Sequence, residues 1–275
     1  KPHSGRNVNI PVFIEPYVTS DITFVESTDT FNAYVSAYGL PTHYRRKIAP
    51  IGAFTKPRSI PQNYNIENYN KIDSIFCGDH LINADIVWKQ FLTGNMISFT
   101  SVSDNFLDDY SNISNIKMLI FGSHNEYWTR KKADNVLRFI NEGGSIIFLG
   151  GNTAWRKVER TDDYDILYGD NLLDNAGFDT FINQVLGSYY SKKGYGSYAP
   201  YKILNLDKIK SLTSFTPENI IFASGTDFSN CNETVFGGSG HETDKLLPTA
   251  NSKFVIIAKG TNLKNSGAEI VFKDT

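Results

Sequence analysis

The period of the apolar positions changes several times along the chain, and each change marks an element. Ile22-Thr23-Phe24-Val25 is a short β-rich run that stops at the turn-forming Ser27-Thr28-Asp29-Thr30. A long stretch without clear periodicity follows, punctuated by Gly39, Pro41, Pro50, Gly52, Pro57 and Pro61. A connector of that length reads as a functional loop covering a site. Order returns with Leu81, Ala84, Val87, Trp88, Phe91 and Leu92, whose spacing of three and four predicts an amphipathic helix ended by Gly94. Met96-Ile97-Ser98-Phe99-Thr100 reads as a strand, and Lys117-Met118-Leu119-Ile120-Phe121 as a second one, buried on both faces.

Thr129 caps the next helix, Ala133, Val136, Leu137 and Ile140 form its apolar stripe, and Gly143-Gly144 ends it. Ser145-Ile146-Ile147-Phe148-Leu149 follows as a strand. Strand, helix and strand at this spacing predict a right-handed βαβ unit, hence an α/β fold with a mostly parallel sheet flanked by helices. After Trp155 the pattern loosens. Residues 187–201, rich in Gly, Tyr and Ser, read as loop within a loop-rich insertion of about 160–215. Strand-like runs return at 220–223, 254–258 and 269–272. Residues 1–275 read as a single domain without repeats, and the absence of a starting Met leads us to expect a chain that is processed or cut from a longer one.

Composition narrows the functional classes. Apolar residues make up 40% and aromatics 13%, enough for a substantial core. A net charge of −2 gives no field to attract nucleic acid or an anionic membrane. Arg45-Arg46-Lys47 is too short to change that, and reads as a solvated loop. No apolar stretch reaches the roughly 18–20 residues that cross a bilayer. Lys1-Pro2-His3-Ser4-Gly5 lacks the apolar core of a signal peptide. A soluble protein is expected, with a cytoplasmic setting favoured. Cys77 and Cys231 show no metal-ligand spacing; they read as two ordinary thiols or one disulfide.

In open α/β sheets ligands bind beyond the carboxyl ends of the strands. That rule selects residues 27–34, 123–128 and 150–156, whose polar side chains are expected to face one another. His124 and Glu126, two apart, can point into one pocket, Glu as oxygen ligand or base and His as acid, base or ligand. The plainer reading is a capping carboxylate beside a structural histidine. Gly150-Gly151-Asn152 is either a tight strand-to-helix turn or a substrate-holding amide between small neighbours. Hydrolases of similar layout put a Ser or Cys nucleophile on such a turn; Asn is no nucleophile, which argues against an acyl-enzyme. Residues 237–244, with His241, Glu242 and Asp244 after three glycines, are either a flexible loop delivering Glu242 or a surface turn. Tyr127, Trp128 and Trp155 are either substrate-binding aromatics or core.

Taken together, Ser27-Thr28-Asp29-Thr30-Phe31-Asn32-Ala33-Tyr34, Gly122-Ser123-His124-Asn125-Glu126-Tyr127-Trp128 and Gly150-Gly151-Asn152-Thr153-Ala154-Trp155-Arg156 resemble the catalytic region of the N,N-dimethylformamidase large (beta) subunit family. The resemblance covers residues 20–160 well and 235–272 loosely. It implies a class I glutamine-amidotransferase-like, flavodoxin-like domain that hydrolyses a small amide at a mononuclear iron. The iron would be held by a glutamate and two tyrosines. It further implies Glu126 and Tyr34 as metal ligands, His124 and Asn152 as substrate-facing groups and Glu242 as a further carboxylate. Where the family has its second tyrosine, Ser4-Gly5-Arg6-Asn7 offers no phenol. Three readings follow: a metal-dependent hydrolase of a small uncharged amide; a metal-free hydrolase using Glu126 or Glu242 with His124; and an inactive member serving as a carbohydrate or small-molecule binding module through Tyr127, Trp128 and Trp155.

Overall fold

The computed structural model describes residues 14–34, 36–37, 40–41, 82–160, 166–171, 178–190, 201–212, 227–230, 233–236, 243–260 and 268–273. Its centre is a parallel sheet built from β1 (Ile22–Glu26), β2 (Thr100–Ser103), β3 (Met118–Phe121) and, beyond the short β4 (Tyr127–Thr129), β5 (Ser145–Phe148). The strand order is β2-β1-β3-β5, with Thr23 beside Thr100, Phe24 beside Ile120 and Phe121 beside Phe148. The expected α/β class and parallel sheet are present, and β3, with Leu119 and Phe121 fully buried, is the interior strand the apolar run predicts.

Two-residue alternation divides the core into two layers. Phe24 and Ile120 point to one face, where they meet Leu92 of helix α2 (Ile82–Gly94). Val25, Val102, Leu119 and Phe121 point to the other, against Val136 and Phe139 of α4 (Arg130–Asn141), which follows the single-turn α3 (Tyr110–Ile113). α4 has the ends its sequence predicts. Thr129 Oγ1 accepts the Lys132 N–H at 3.0 Å. At the other end Gly143 takes φ 97°, while Gly144 N–H donates to Phe139 O and Gly143 N–H to Ile140 O. That pair of bonds satisfies carbonyls the last turn would otherwise leave open.

Other local expectations shift. Residues 27–30 are not a turn but the start of helix α1 (Thr28–Tyr34), with Ser27 O accepting the Phe31 N–H. Ser, Thr and Asp serve a helix N-terminus as readily as a turn, because each can bond nearby backbone N–H groups. The strand expected at 96–100 begins only at Thr100, since Met96 is spent on ending α2. Met96 adopts φ 57° and is 94% exposed; its N–H donates to Thr93 O and that of Ile97 to Leu92 O. The left-handed position thus falls two residues after Gly94.

After β5 the chain does not enter a helix. It turns through residues 150–155 into β6 (Arg156–Arg160), which runs parallel to β4 and antiparallel to β7 (Ile166–Asn171). Residues 179–186 form α5 (Asp179–Phe181) and a wider helical turn (Ile182–Leu186), which bury Phe181, Ile182, Val185 and Leu186. Residues 187–201, expected as loop, include β8 (Ser188–Tyr190) and the start of β9 (Tyr201–Ile203); helix α6 (Leu206–Leu212) follows. β8 pairs antiparallel with β10 (Asp244–Leu246). The predicted late strands form as β11 (Phe254–Gly260) and β12 (Glu269–Lys273). β11 pairs antiparallel with β9 on one side and β12 on the other, rather than extending the parallel sheet. The run 220–223, the chain's start and both cysteines lie outside the described residues. Among the described residues no helix is long and apolar enough to cross a membrane.

Candidate functional site

The strand order dictates where polar groups can gather. From β1 the chain goes to β2 on one side, then returns to β3 on the other, so a crevice opens between the carboxyl ends of β1 and β3. The start of α1 follows β1 there, residues 122–126 follow β3, and residues 149–155 follow the neighbouring β5. The three segments selected from sequence do meet. Thr30 Oγ1 accepts the N–H groups of Glu126 (2.9 Å) and Tyr127 (3.2 Å), and Asn125 Nδ2 donates to Ser27 Oγ at 3.2 Å. On the other side Ala154 N–H donates to Asn125 O and Arg156 N–H to Glu126 O, both at 2.9 Å. Gly150 packs so tightly that a Cβ there would lie 1.7 Å from Ser123 O.

His124 and Glu126 are 2% and 3% exposed, with His124 Nε2 3.7 Å from Glu126 Oε2. Arg156 Nε lies 3.7 Å from the other carboxylate oxygen, Oε1. Glu126 does not cap α4, a task Thr129 performs, so its buried carboxylate is placed for something other than helix termination. A carboxylate between an imidazole and a guanidinium, away from water, is a strong local field. Asn152, 3% exposed, sits beside this pair's loop with φ 56°, a left-handed backbone that Asn adopts more readily than most residues.

Several groups that build the site carry no motif. Asp244 fixes Asn152 by accepting its N–H at 2.6 Å and that of Thr153 at 3.4 Å. Burial, with Asp244 nearby, pushes the Tyr201 phenol up to about 12. Asp104 and Lys132 form an ion pair at 2.6 Å with both side chains 0% exposed. Lys132 Nζ also donates to Tyr127 O at 2.9 Å and stands 4.3 Å over the Trp128 ring. Asp104 in turn accepts the Asp29 N–H at 3.0 Å and Asn125 Nδ2 at 3.3 Å. One ion pair therefore holds α1, the 122–126 segment and α4 together. Its only sequence signal is a lysine on the same helical face as Val136 and Phe139.

The aromatic candidates divide. Trp128 is fully buried, with rings of Phe121, Phe181 and Phe148 at 5.1, 4.8 and 6.2 Å, and its Nε1–H donates to Asn125 O. Tyr127 is 1% exposed. Both therefore take the core role. Trp155 is half-buried and meets Tyr190 edge-on at 5.2 Å. Tyr34 is the last residue of α1, one turn beyond Thr30; its side chain lies outside the described residues, as does Glu242. Thr243 and Asp244, directly after Glu242, are buried. Among the described residues no three His, Cys, Asp or Glu side chains converge as a metal-binding group.

A family model described as "N,N-dimethylformamidase beta subunit-like, C-terminal" matches residues 1–272. A search of curated proteins found no match.

Proposed function

The chain belongs to the N,N-dimethylformamidase beta subunit-like family, and on that premise we propose that it hydrolyses the C–N bond of a small uncharged amide in the crevice beyond β1 and β3. The observation that carries this reading is the buried His124–Glu126 pair, 3.7 Å apart, beside Asn152. The strand order β2-β1-β3-β5 supports the glutamine-amidotransferase-like layout that the resemblance implies.

In this reading water, rather than a side chain, attacks the carbonyl, because the turn after β5 presents Asn152 and no Ser or Cys nucleophile. His124, polarised by Glu126, takes the proton of that water and returns it to the departing amine nitrogen. The Asn152 side-chain amide donates to the carbonyl oxygen as it gains negative charge. Arg156, with Nε 3.7 Å from Glu126 Oε1, sets a positive charge against that carboxylate. Glu242 enters as a further carboxylate from the family resemblance alone.

Tyr34 and Glu126 are the positions that would hold iron. They suit it in kind, as hard oxygen donors, and α1, which ends at Tyr34, is bonded to the Glu126 backbone through Thr30. A ferric ion there would polarise the amide carbonyl and acidify a bound water. The glycan-binding alternative loses ground because Tyr127 and Trp128 offer no open ring face.

The test is release of formate and dimethylamine from N,N-dimethylformamide by iron-loaded protein, with metal content measured on the same samples. His124→Gln and Asn152→Ala are expected to lower kcat by about 100-fold or more. Glu126→Ala and Tyr34→Phe are expected to lose iron as well. A wild type that turns over no small amide, loaded or not, would sink the hydrolase reading. Turnover by iron-free wild type would retain it and discard the metal.

A further inference from the structure

Behind the candidate site lies a second cluster of buried ionisable groups that none of the chemistry above uses. Helix α2 lays Asp85, Lys89 and Leu92 along one face, at spacings of four and three, across the ends of β1 and β3. Leu92 packs on Phe24 and Ile120. Lys89 Nζ pairs with Glu26 Oε1 at 2.6 Å. Asp85, 0% exposed, reaches past the end of the sheet to accept the Ser123 N–H on its Oδ1 at 2.6 Å.

This last bond stands next to the reacting groups in sequence. Ser123 directly precedes His124, and both peptides that flank its Cα are held: the N–H of one by Asp85, the carbonyl oxygen of the other under Gly150. Gly122 makes the reach possible, since a Cβ at that position would lie 2.5 Å from Asp85 Oδ2. Among the described residues, Asp85 Oδ2 and Glu26 Oε2 are buried without hydrogen-bond partners. Lys89 pairs with Glu26, so the buried Asp85 carboxyl is a costly addition to a helix–sheet contact that Leu92 and its neighbours already secure. What the carboxylate does that an apolar residue would not do is hold the Ser123 peptide.

We propose that Asp85 is a positioning residue, setting where His124 stands by holding the Ser123 peptide at the mouth of the β1–β3 crevice. It rests on the hydrolase reading only for its kinetic consequence. Asp85 touches no reacting atom; its effect reaches the chemistry through one peptide bond.

The experiment compares wild type, Asp85→Ala and Asp85→Asn by kinetics on N,N-dimethylformamide and by amide hydrogen exchange at residues 122–126. Asp85→Asn keeps an acceptor oxygen for the Ser123 N–H. The alanine variant is expected to lose kcat by about 10- to 100-fold with little change in KM, as a displaced reacting group does. Its faster exchange should be confined to residues 122–126. The asparagine variant is expected to recover kcat to within about threefold of wild type and to restore the protection. Unchanged kcat and exchange in the alanine variant would overturn the proposal, as would an asparagine variant that falls as far as alanine. If wild type turns over no amide, the hydrolase reading fails by itself. Exchange at residues 122–126 then decides for Asp85: protection lost in alanine and restored in asparagine upholds it, and any other pattern overturns it.

Discussion

At the scale of single residues, what the sequence reveals depends on whether a residue works through its neighbours in the chain or through distant ones. His124, Glu126 and Asn152 stand out as candidates because they follow apolar strands, and strand ends are where an α/β sheet binds its ligands. Asp104 and Lys132 are silent in sequence, since they pair across 28 positions, and the 237–244 segment that carries Asp244 gives no sign of its bond to Asn152, 92 positions away. Their importance is energetic. Removing one member of a buried ion pair leaves the other charge without compensation, at a cost of about 3–5 kcal/mol. Lys132→Met should therefore lower the urea midpoint of unfolding by that amount of stability, without a change in m. Asp104→Asn with Lys132→Met, which removes both charges, should recover much of the loss. Trp128 teaches the converse lesson. It neighbours the site in sequence and is fully buried, because period-two alternation in β4 turns it into the aromatic layer of Phe121, Phe148 and Phe181.

Elements are legible where their ends are chemically marked. α4 begins at Thr129 and ends at Gly143, whose φ of 97° few other residues tolerate. α2 shows the limit of that signal, because Met96 takes the left-handed turn and displaces the next strand to Thr100. Two alanine substitutions separate glycines that punctuate from glycines that pack. Gly94→Ala meets nothing within 4 Å and should be neutral or raise stability by up to about 1 kcal/mol, because alanine favours the helix. Gly150→Ala drives a Cβ against the Ser123 backbone and should cost about 3 kcal/mol or more, since neither strand end can retreat without breaking the sheet register. Thermal unfolding of both variants checks the contrast. Equal effects would mean that the approach of residue 150 to residue 123 is looser than its geometry requires.

For the whole molecule, the buried α2 contact links folding to pH. Burial, opposed by the Ser123 N–H and reinforced by Glu26, pushes the Asp85 carboxyl from 3.8 up to about 7. A carboxyl whose folded value is raised prefers its proton in the folded state. Its stabilising contribution is full below about pH 3.8 and declines as the pH rises through about 7, amounting to roughly 4 kcal/mol at most. Wild type should lose stability across that window relative to Asp85→Asn, which carries no titrating group; parallel pH curves would refute the linkage. The sequence by itself determined the α/β class, the helix α4 with both of its caps, the three strand-end segments and the His124–Glu126–Asn152 candidates. Those features follow from apolar period and end chemistry, which act over a turn or a strand. Only the tertiary structure decided that β11 pairs with β9 and β12 instead of joining the parallel sheet, that Trp128 is core, and that Asp85, Asp104 and Asp244 bond the backbone of the three strand-end segments. Strand pairing and the burial of a charge are set by partners dozens of residues away, and no local pattern records which of them will arrive.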